Sequence, residues 1–240
     1  MSELHSPSRH RIWQMFDRIA HRYDLLNRVL SLRRDVAWRK ELGRHIPVSA
    51  YLRVLDIATG TADIPLMLSA DHSMDLIIGA DRSFEMLKIG RVKVTDPPRA
   101  DLYLMPADGM FLPFSQNAFN ITTIAFGIRN MKNIDLALQE MYRVLSLNGK
   151  ALILEFALPS NPVIRKAYLF YFRNLLPILG GMISGDIPAY RYLNQSVETF
   201  PYGNQFCQKM EQAGFVQVGF KAMTFGICCL YWGEKRENIG

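Results

Sequence analysis

Histidine is missing from most of the chain: all five lie at or before His72, so nothing beyond that point offers an imidazole as base or metal ligand. Cysteine is nearly as scarce. Cys207 and the adjacent Cys228 and Cys229 fit no metal-ligand spacing and no disulfide framework, so the expectation is a reducing cytoplasmic setting and no metal centre. No apolar run is long enough for a bilayer, because the greasiest window, Tyr168 to Ile183, is interrupted by Arg173, Pro177, Gly180 and Gly181. The first residues are polar, so a secretory leader is not expected. Internal repeats and low-complexity tracts do not occur. Glycine is short where a dinucleotide would require it, since no G-x-G-x-x-G is found.

What is present is enough apolar residue for one substantial core: 49% of 240 residues are hydrophobic. The formal charge of +6 is concentrated at one end. Through Arg44 there are ten Lys and Arg against five Asp and Glu. Such a stretch suits a nucleic acid, an anionic membrane or a solvated helix face.

The organising stretch is Arg53-Val-Leu-Asp56-Ile-Ala-Thr59-Gly60-Thr61-Ala-Asp63-Ile-Pro-Leu-Met-Leu68, an apolar run ending in an acid, a small-residue turn and apolar residues at helical spacing. This reads as strand, tight loop and helix, the place where an open α/β sheet holds a nucleotide-like ligand. A second strand, Leu76-Ile-Ile-Gly-Ala80, ends in Asp81, about 20 residues past the loop, as expected of a carboxylate that takes ribose hydroxyls. A pyrophosphate needs more glycine than this loop has; a ligand without phosphates tolerates a β-carbon. The pattern resembles the first motif of class I methyltransferases. That resemblance implies a doubly wound, mostly parallel seven-stranded sheet of Rossmann-like type and S-adenosyl-L-methionine as cofactor, with Asp56 and Gly60 toward its methionine portion and Asp81 toward its ribose.

Before the first strand, Ile12, Trp13, Phe16, Ile19, Ala20, Tyr23, Leu26 and Leu30 predict one amphipathic helix or two short ones after a disordered start over residues 1 to 10. A further helix is expected from Asp35 to His45, closed by Pro47. Ser83 caps another. Asp96-Pro97-Pro98 breaks the chain, and a third strand near Leu102 to Met105 leads to Asp108-Gly109, an acidic turn suited to an adenine amine. Phe119 to Phe126 reads as the fourth strand, with Gly127-Ile128-Arg129-Asn130 at its carboxyl end. A helix follows over Asp135 to Leu145, then a turn at Asn148-Gly149 and a strand from Ala151 to Phe156. The aromatic block Asn161 to Phe200 reads as an inserted helical lid, and the last strands fall near Phe215 to Phe220 and Thr224 to Trp232. The expected organisation is a basic helical segment (1–48), an α/β core (49–158), a lid (159–205) and a C-terminal helix and strands that complete the sheet (206–240).

Three separated stretches together resemble the menaquinone and ubiquinone C-methyltransferases. They are Phe16-Asp17 through Tyr23-Asp24, Asn27 and Ser31 to Trp38; Ala125-Phe126-Gly127-Ile128-Arg129-Asn130 with Tyr142-Arg143-Val144-Leu145; and Asp186 with Tyr190-Arg191-Tyr192-Leu193 and Ser196. The resemblance implies methyl transfer from S-adenosyl-L-methionine to a ring carbon of a polyprenylated quinol, demethylmenaquinol foremost and a benzoquinol as alternative. It places Thr61, Asp81, Asp108 and Gly109 on the cofactor and Arg129, Asn130 and Tyr23 on the acceptor. The family's Gly-Gly-Thr-Gly-Asp loop is Thr59-Gly60-Thr61-Ala62-Asp63 here, its histidine before the N-terminal tryptophan is Asp35, its fourth-strand serine is Ala125 and its Lys-Pro-Gly-Gly turn is Ser146-Leu147-Asn148-Gly149.

Carbon methylation needs an electron-rich ring, hence the reduced quinol and a stabilised phenolate. Arg129 is too weak a base to take the proton, so its expected work is to stabilise the phenolate or orient a water, a structural salt bridge being the alternative. Glu155 is either structural or faces the site. The basic amphipathic N-terminus and the aromatic lid suggest peripheral contact with an anionic membrane; a homodimer is left open. A nucleic-acid methyltransferase would carry an Asn/Asp-Pro-Pro-aromatic motif after the fourth strand, where Gly127-Ile128-Arg129-Asn130 stands, so no nucleic-acid partner is expected. A non-catalytic assembly subunit would retain the fold without the cofactor.

Overall fold

The computed structural model describes residues 12–49, 51–71, 74–95, 101–178 and 187–237. The stretch expected to be disordered and the Asp96-Pro97-Pro98 break lie outside them, as does the middle of the lid. Two helices come first, α1 (Ile12–Leu30) and α2 (Arg34–Arg44). The α1 periodicity resolves into one continuous helix that buries Ile12, Met15, Ile19, Ala20 and Leu26. In α2, Trp38 and Leu42 point inward, and full burial of a side chain such as Leu42 contributes about 1.5–3 kcal/mol.

The sheet contains β1 (Leu52–Ile57), β2 (Met74–Asp81), β3 (Leu102–Pro106), β4 (Phe119–Ala125), β5 (Leu145–Phe156), β6 (Val216–Met223) and β7 (Cys228–Glu234). Their order is β3-β2-β1-β4-β5-β7-β6. All neighbours pair in parallel except β5 with β7 and β7 with β6. This is the seven-stranded, mostly parallel sheet expected from the sequence. The winding reverses between β1 and β4, which opens a crevice beyond their carboxyl ends.

Helices α3 (Asp63–Asp71), α4 (Phe84–Thr95), α5 (Ile134–Val144) and α8 (Asn204–Gln212) accompany the strands. Between β5 and α8 the chain forms α6 (Pro162–Phe170), a π-helical turn (Tyr171–Leu175) and α7 (Ile187–Thr199). Apolar clusters fill both faces of the sheet. A third lies apart from them, where Met15 and Leu26 of α1 meet Tyr168, Phe172, Leu176, Ala189, Tyr192 and Val197. The N-terminal helix and the inserted segment therefore share a core of their own.

Two boundaries differ from expectation for local reasons. The segment Thr224-Phe225-Gly226, read as the start of the last strand, is a turn with φ of 47, 58 and 87 degrees. The Thr224 hydroxyl is taken by the Trp38 indole at 2.9 Å, so a β-forming residue serves a contact between distant elements. The Asn148-Gly149 turn is absorbed into β5, which starts at Leu145 and accommodates it through a register break opposite Phe119 and Ile121. Asn148 takes the left-handed conformation there, at φ 60 degrees.

Candidate active site

Two cavities open beside the switch point. The first holds ≈ 790 Å³ of empty space, part of it open to solvent. Its floor is the loop after β1, where Ala58, Gly60 and Ala62 have φ of 52, 57 and 67 degrees. Non-glycine residues resist that conformation and persist there only when their surroundings enforce it. The enforcement is visible. The Thr59 amide donates to the Ala80 carbonyl at 3.1 Å, and the Gly60 amide donates to Asp81 Oδ2 at 2.7 Å. Asp81 Oδ1 accepts from the Ser83 amide at 2.7 Å, so one carboxylate fixes the loop after β1 to the turn after β2. Burial raises the Asp81 pKa, while the backbone amides of Ser83, Gly60 and Arg82 act against that rise.

On the opposite wall, Asp108 accepts from the Met110 amide at 2.9 Å and from Arg82 at 3.2 Å. Gly109 has no room for a side chain, since a β-carbon would stand 2.8 Å from both Ile57 and Met131. Gly127 closes the floor, where a β-carbon would come within 2.6 Å of that of Ala58. The roof is α1, through Ile12, Trp13, Phe16 and Tyr23.

Gly60, Asp81, Asp108 and Gly109 are thus brought together on one wall system. Asp56 and Thr61 are not part of it. Thr61 is buried and donates to Asp24 of α1 at 2.6 Å, tying the loop to its roof. Asp56 lies beneath the loop, 1% exposed, and accepts from the Thr123 hydroxyl at 2.5 Å. Burial pushes its carboxyl up to about 7, against the pull of the Thr123 and Thr59 hydroxyls. An unfolded aspartate titrates near ~3.9. The native state therefore holds the extra proton, and this group's contribution to stability is full below about pH 4, declines as the pH rises and is gone above about 7. Asp56→Asn is expected to lose less stability than the wild type between about pH 5 and 7.5, by up to about 3 kcal/mol; urea midpoints at the two pH values measure it, and parallel losses would refute it.

The second cavity is larger, ≈ 1640 Å³ of empty space including its open mouth, and is walled by α1, α2, α6, the π turn and α7. Phe16, Tyr23, Phe126 and Asn130 line both cavities and form the partition between them. Phe126 sits at φ 58 degrees, just past the end of β4. Its ring lies 4.6 Å from that of Phe156, with the Arg39 guanidinium over the first ring at 5.5 Å and the Arg129 guanidinium over the second at 5.2 Å.

Arg129 is buried and ion-paired with Glu155 at 2.6 Å; the same nitrogen donates to the Phe126 carbonyl, also at 2.6 Å. The salt bridge and the place on the cavity wall thus coexist in one residue. Burial raises the Glu155 pKa, and Arg129 is the main force against that rise. Tyr192 donates to Asn130 Oδ1 at 3.2 Å, joining α7 to the partition. Burial also raises the Tyr23 pKa, which keeps this phenol protonated.

Sequence reading missed an ion-pair network that holds α1 in place. Arg28 pairs with Asp35 and, at 2.8 Å, with Asp63; Arg39 pairs with Asp35 at 2.6 Å; Lys93 reaches Asp24 at 2.5 Å and Asp63 at 3.1 Å. Only the Asp35/Arg39 spacing of four residues could have signalled it. Among the described residues no cluster of three or more His, Cys, Asp and Glu is arranged to hold a metal ion, and no helix is long and apolar enough to cross a membrane.

The family model of the ubiE/COQ5 methyltransferase family matches residues 5–235. The chain belongs to that family. Similar relatives include the demethylmenaquinone methyltransferase of Thermus thermophilus, 42% identical over 92% of this chain and 100% of the relative. The ubiquinone/menaquinone biosynthesis C-methyltransferase of Syntrophotalea carbinolica is 43% identical over 91% and 92%, and the demethylmenaquinone methyltransferase of Bacteroides fragilis 37% identical over 92% and 91%.

Solved structures share the fold. A SAM-dependent methyltransferase from Thermotoga maritima superposes at a TM-score of 0.66 with 16% identity, covering 94% of this chain and 100% of that one. The Haemonchus contortus phosphoethanolamine N-methyltransferase 2 in complex with S-adenosyl-L-methionine gives 0.62 and 16%, covering 85% and 52%. In this ubiE/COQ5 member the first cavity offers carboxylates with spare lone pairs in Asp81 and Asp108, and an apolar roof in Ile12, Trp13 and Phe16.

Proposed function

We propose that the protein transfers a methyl group from S-adenosyl-L-methionine to a ring carbon of demethylmenaquinol, with the cofactor in the first cavity and the quinol in the second. The carrying observation is the partition: a polar and an aromatic cavity meet at Phe16, Tyr23, Phe126 and Asn130. The bound cofactor supplies an electrophilic methyl on a sulfonium. Asp81 and Asp108 hold the adenosyl portion, in a cavity that Gly109 and Gly127 also line. The rings of Phe126, Phe156, Tyr168 and Phe172 keep water from the acceptor. Arg129 lends positive charge to the developing phenolate and takes no proton; the phenolic proton and, once the methyl is on, the proton of the methylated ring carbon leave to water at the open mouth of the second cavity. Asn130 and Tyr23 orient the reacting oxygen.

The naphthoquinol reading is favoured by the names of two of the relatives, whereas the Syntrophotalea relative is named for both quinones. A nucleic-acid reading is weakened, because three of the ten cations of the basic segment, Arg28, Arg39 and Arg44, are engaged with acidic residues. Anaerobic incubation with short-tailed demethylmenaquinol and, in parallel, a demethylated benzoquinol tests the reading by mass spectrometry. One added methyl on the naphthoquinol is expected, and none on either acceptor would overturn it.

The mouth of the second cavity supports membrane contact. Leu32 and Phe225 stand on it 83% and 75% exposed, beside the exposed Arg33 and Arg34. Apolar tips among cations suit the surface of an anionic bilayer. Leu32→Glu/Phe225→Glu is expected to abolish flotation with anionic liposomes and to slow methylation of vesicle-borne long-tailed quinol far more than that of a soluble short-tailed quinol. Unchanged flotation would refute it.

A further inference from the structure

We infer that Tyr168 binds the quinol through the ring oxygen remote from the carbon that receives the methyl, and so makes the site selective for a diol over a mono-ol. The inference rests on the second cavity being the quinol site. Tyr168 is 9% exposed on α6 and lines that cavity, with its ring stacked on Phe172 at 5.0 Å and 24 degrees. Its hydroxyl is buried and has no hydrogen-bond partner among the described residues. An unmet buried hydroxyl destabilises a fold, so one on a cavity wall points to a ligand that satisfies it. The same holds for Arg129 Nε, the other orphaned donor on the wall of this cavity.

Position decides which oxygen is meant. The accepting carbon and the oxygen next to it must lie at the partition, since the methyl crosses there. Tyr168 lines the second cavity alone and is absent from the partition. In a 1,4-diol the second oxygen lies across the ring from the first, so the group that meets it belongs to the wall outside the partition, which is where Tyr168 stands.

Tyr168→Phe removes the hydroxyl and keeps the stacked ring. Binding is measured anaerobically with S-adenosylhomocysteine present, so that no methyl is transferred, using a short-tailed prenylated 1,4-dihydroxynaphthalene and its analogue lacking the remote hydroxyl. Wild type is expected to prefer the diol. Tyr168→Phe should weaken diol binding about tenfold, leave the mono-ol within about twofold, and leave the melting temperature unchanged or raised, because no internal bond is lost. Equal effects on both ligands, no effect on the diol, or a lower melting temperature would overturn the inference.

Ala189→Phe separates this from failure of the underlying reading. Ala189 is buried on α7 and lines the second cavity. If Ala189→Phe excludes the diol while S-adenosylhomocysteine still binds, and Tyr168→Phe is silent, the inference about Tyr168 fails alone. If Ala189→Phe binds the diol normally, the quinol lies elsewhere and both fail.

Discussion

Removing either member of the Arg129/Glu155 pair is expected to cost about 3–5 kcal/mol of folding stability. The magnitude follows from burial. Their side chains are 6% and 0% exposed, and a charge stranded there has neither solvent nor partner. Glu155 also accepts from the amides of Phe156 at 2.8 Å and Arg129 at 3.3 Å, so Glu155→Ala loosens the backbone at both strand ends. The double variant Arg129→Met/Glu155→Leu should regain part of the lost stability, because no charge is left stranded, while the backbone amides of residues 129 and 156 still lose their acceptor. It should not regain methyl transfer. If Arg129 stabilises the phenolate, the double variant keeps S-adenosyl-L-methionine affinity within a few-fold and loses on the order of a hundredfold or more in single-turnover rate, the scale set by deleting one preorganised electrostatic group. Urea unfolding, cofactor titration and rapid quench give the three readings. A stable double variant that methylates at the wild-type rate would reduce the pair to scaffolding.

The second large effect belongs to Asp81. Its two oxygens offer about four lone-pair sites, and the Gly60 and Ser83 amides use one on each oxygen. The remaining sites match the two hydroxyls of a ribose. Asp81→Asn is therefore far from conservative: whichever way the amide turns, its NH2 faces a backbone N–H that needs an acceptor. We expect the Kd for S-adenosyl-L-methionine to rise about a hundredfold, the equivalent of one or two charge-assisted hydrogen bonds. A smaller loss in melting temperature should accompany it as the loop loses a tether. Calorimetric titration decides the matter, and a Kd within a few-fold of wild type would remove Asp81 from the cofactor's ligands.

Much of this arrangement was legible in the sequence because it is local. The apolar run into Asp56, the small-residue loop and the acid ending β2 declare a strand, a turn and a ligand edge within about 30 residues, the size of a βαβ unit. Ser83 caps α4 as expected, its hydroxyl accepting from the Met86 amide at 3.2 Å. What escaped is what depends on distant partners. Nothing near Thr224 indicates that Trp38 takes its hydroxyl, and nothing near Asp63 indicates that Arg28 and Lys93 converge on it. Asp56 and Thr61 carried the motif, yet the fold turns one beneath the loop and the other toward α1. Spacing reports which loop bears a residue; the side to which its atoms turn is set by packing.

Because α1 is at once the roof of the first cavity and a side of the second, any tilt of that one rod reshapes both compartments together. Arg28, Lys93 and the Thr61 hydroxyl staple it to α2, α3, α4 and the loop after β1, so its tilt is set by bonds that lie outside either cavity's apolar lining.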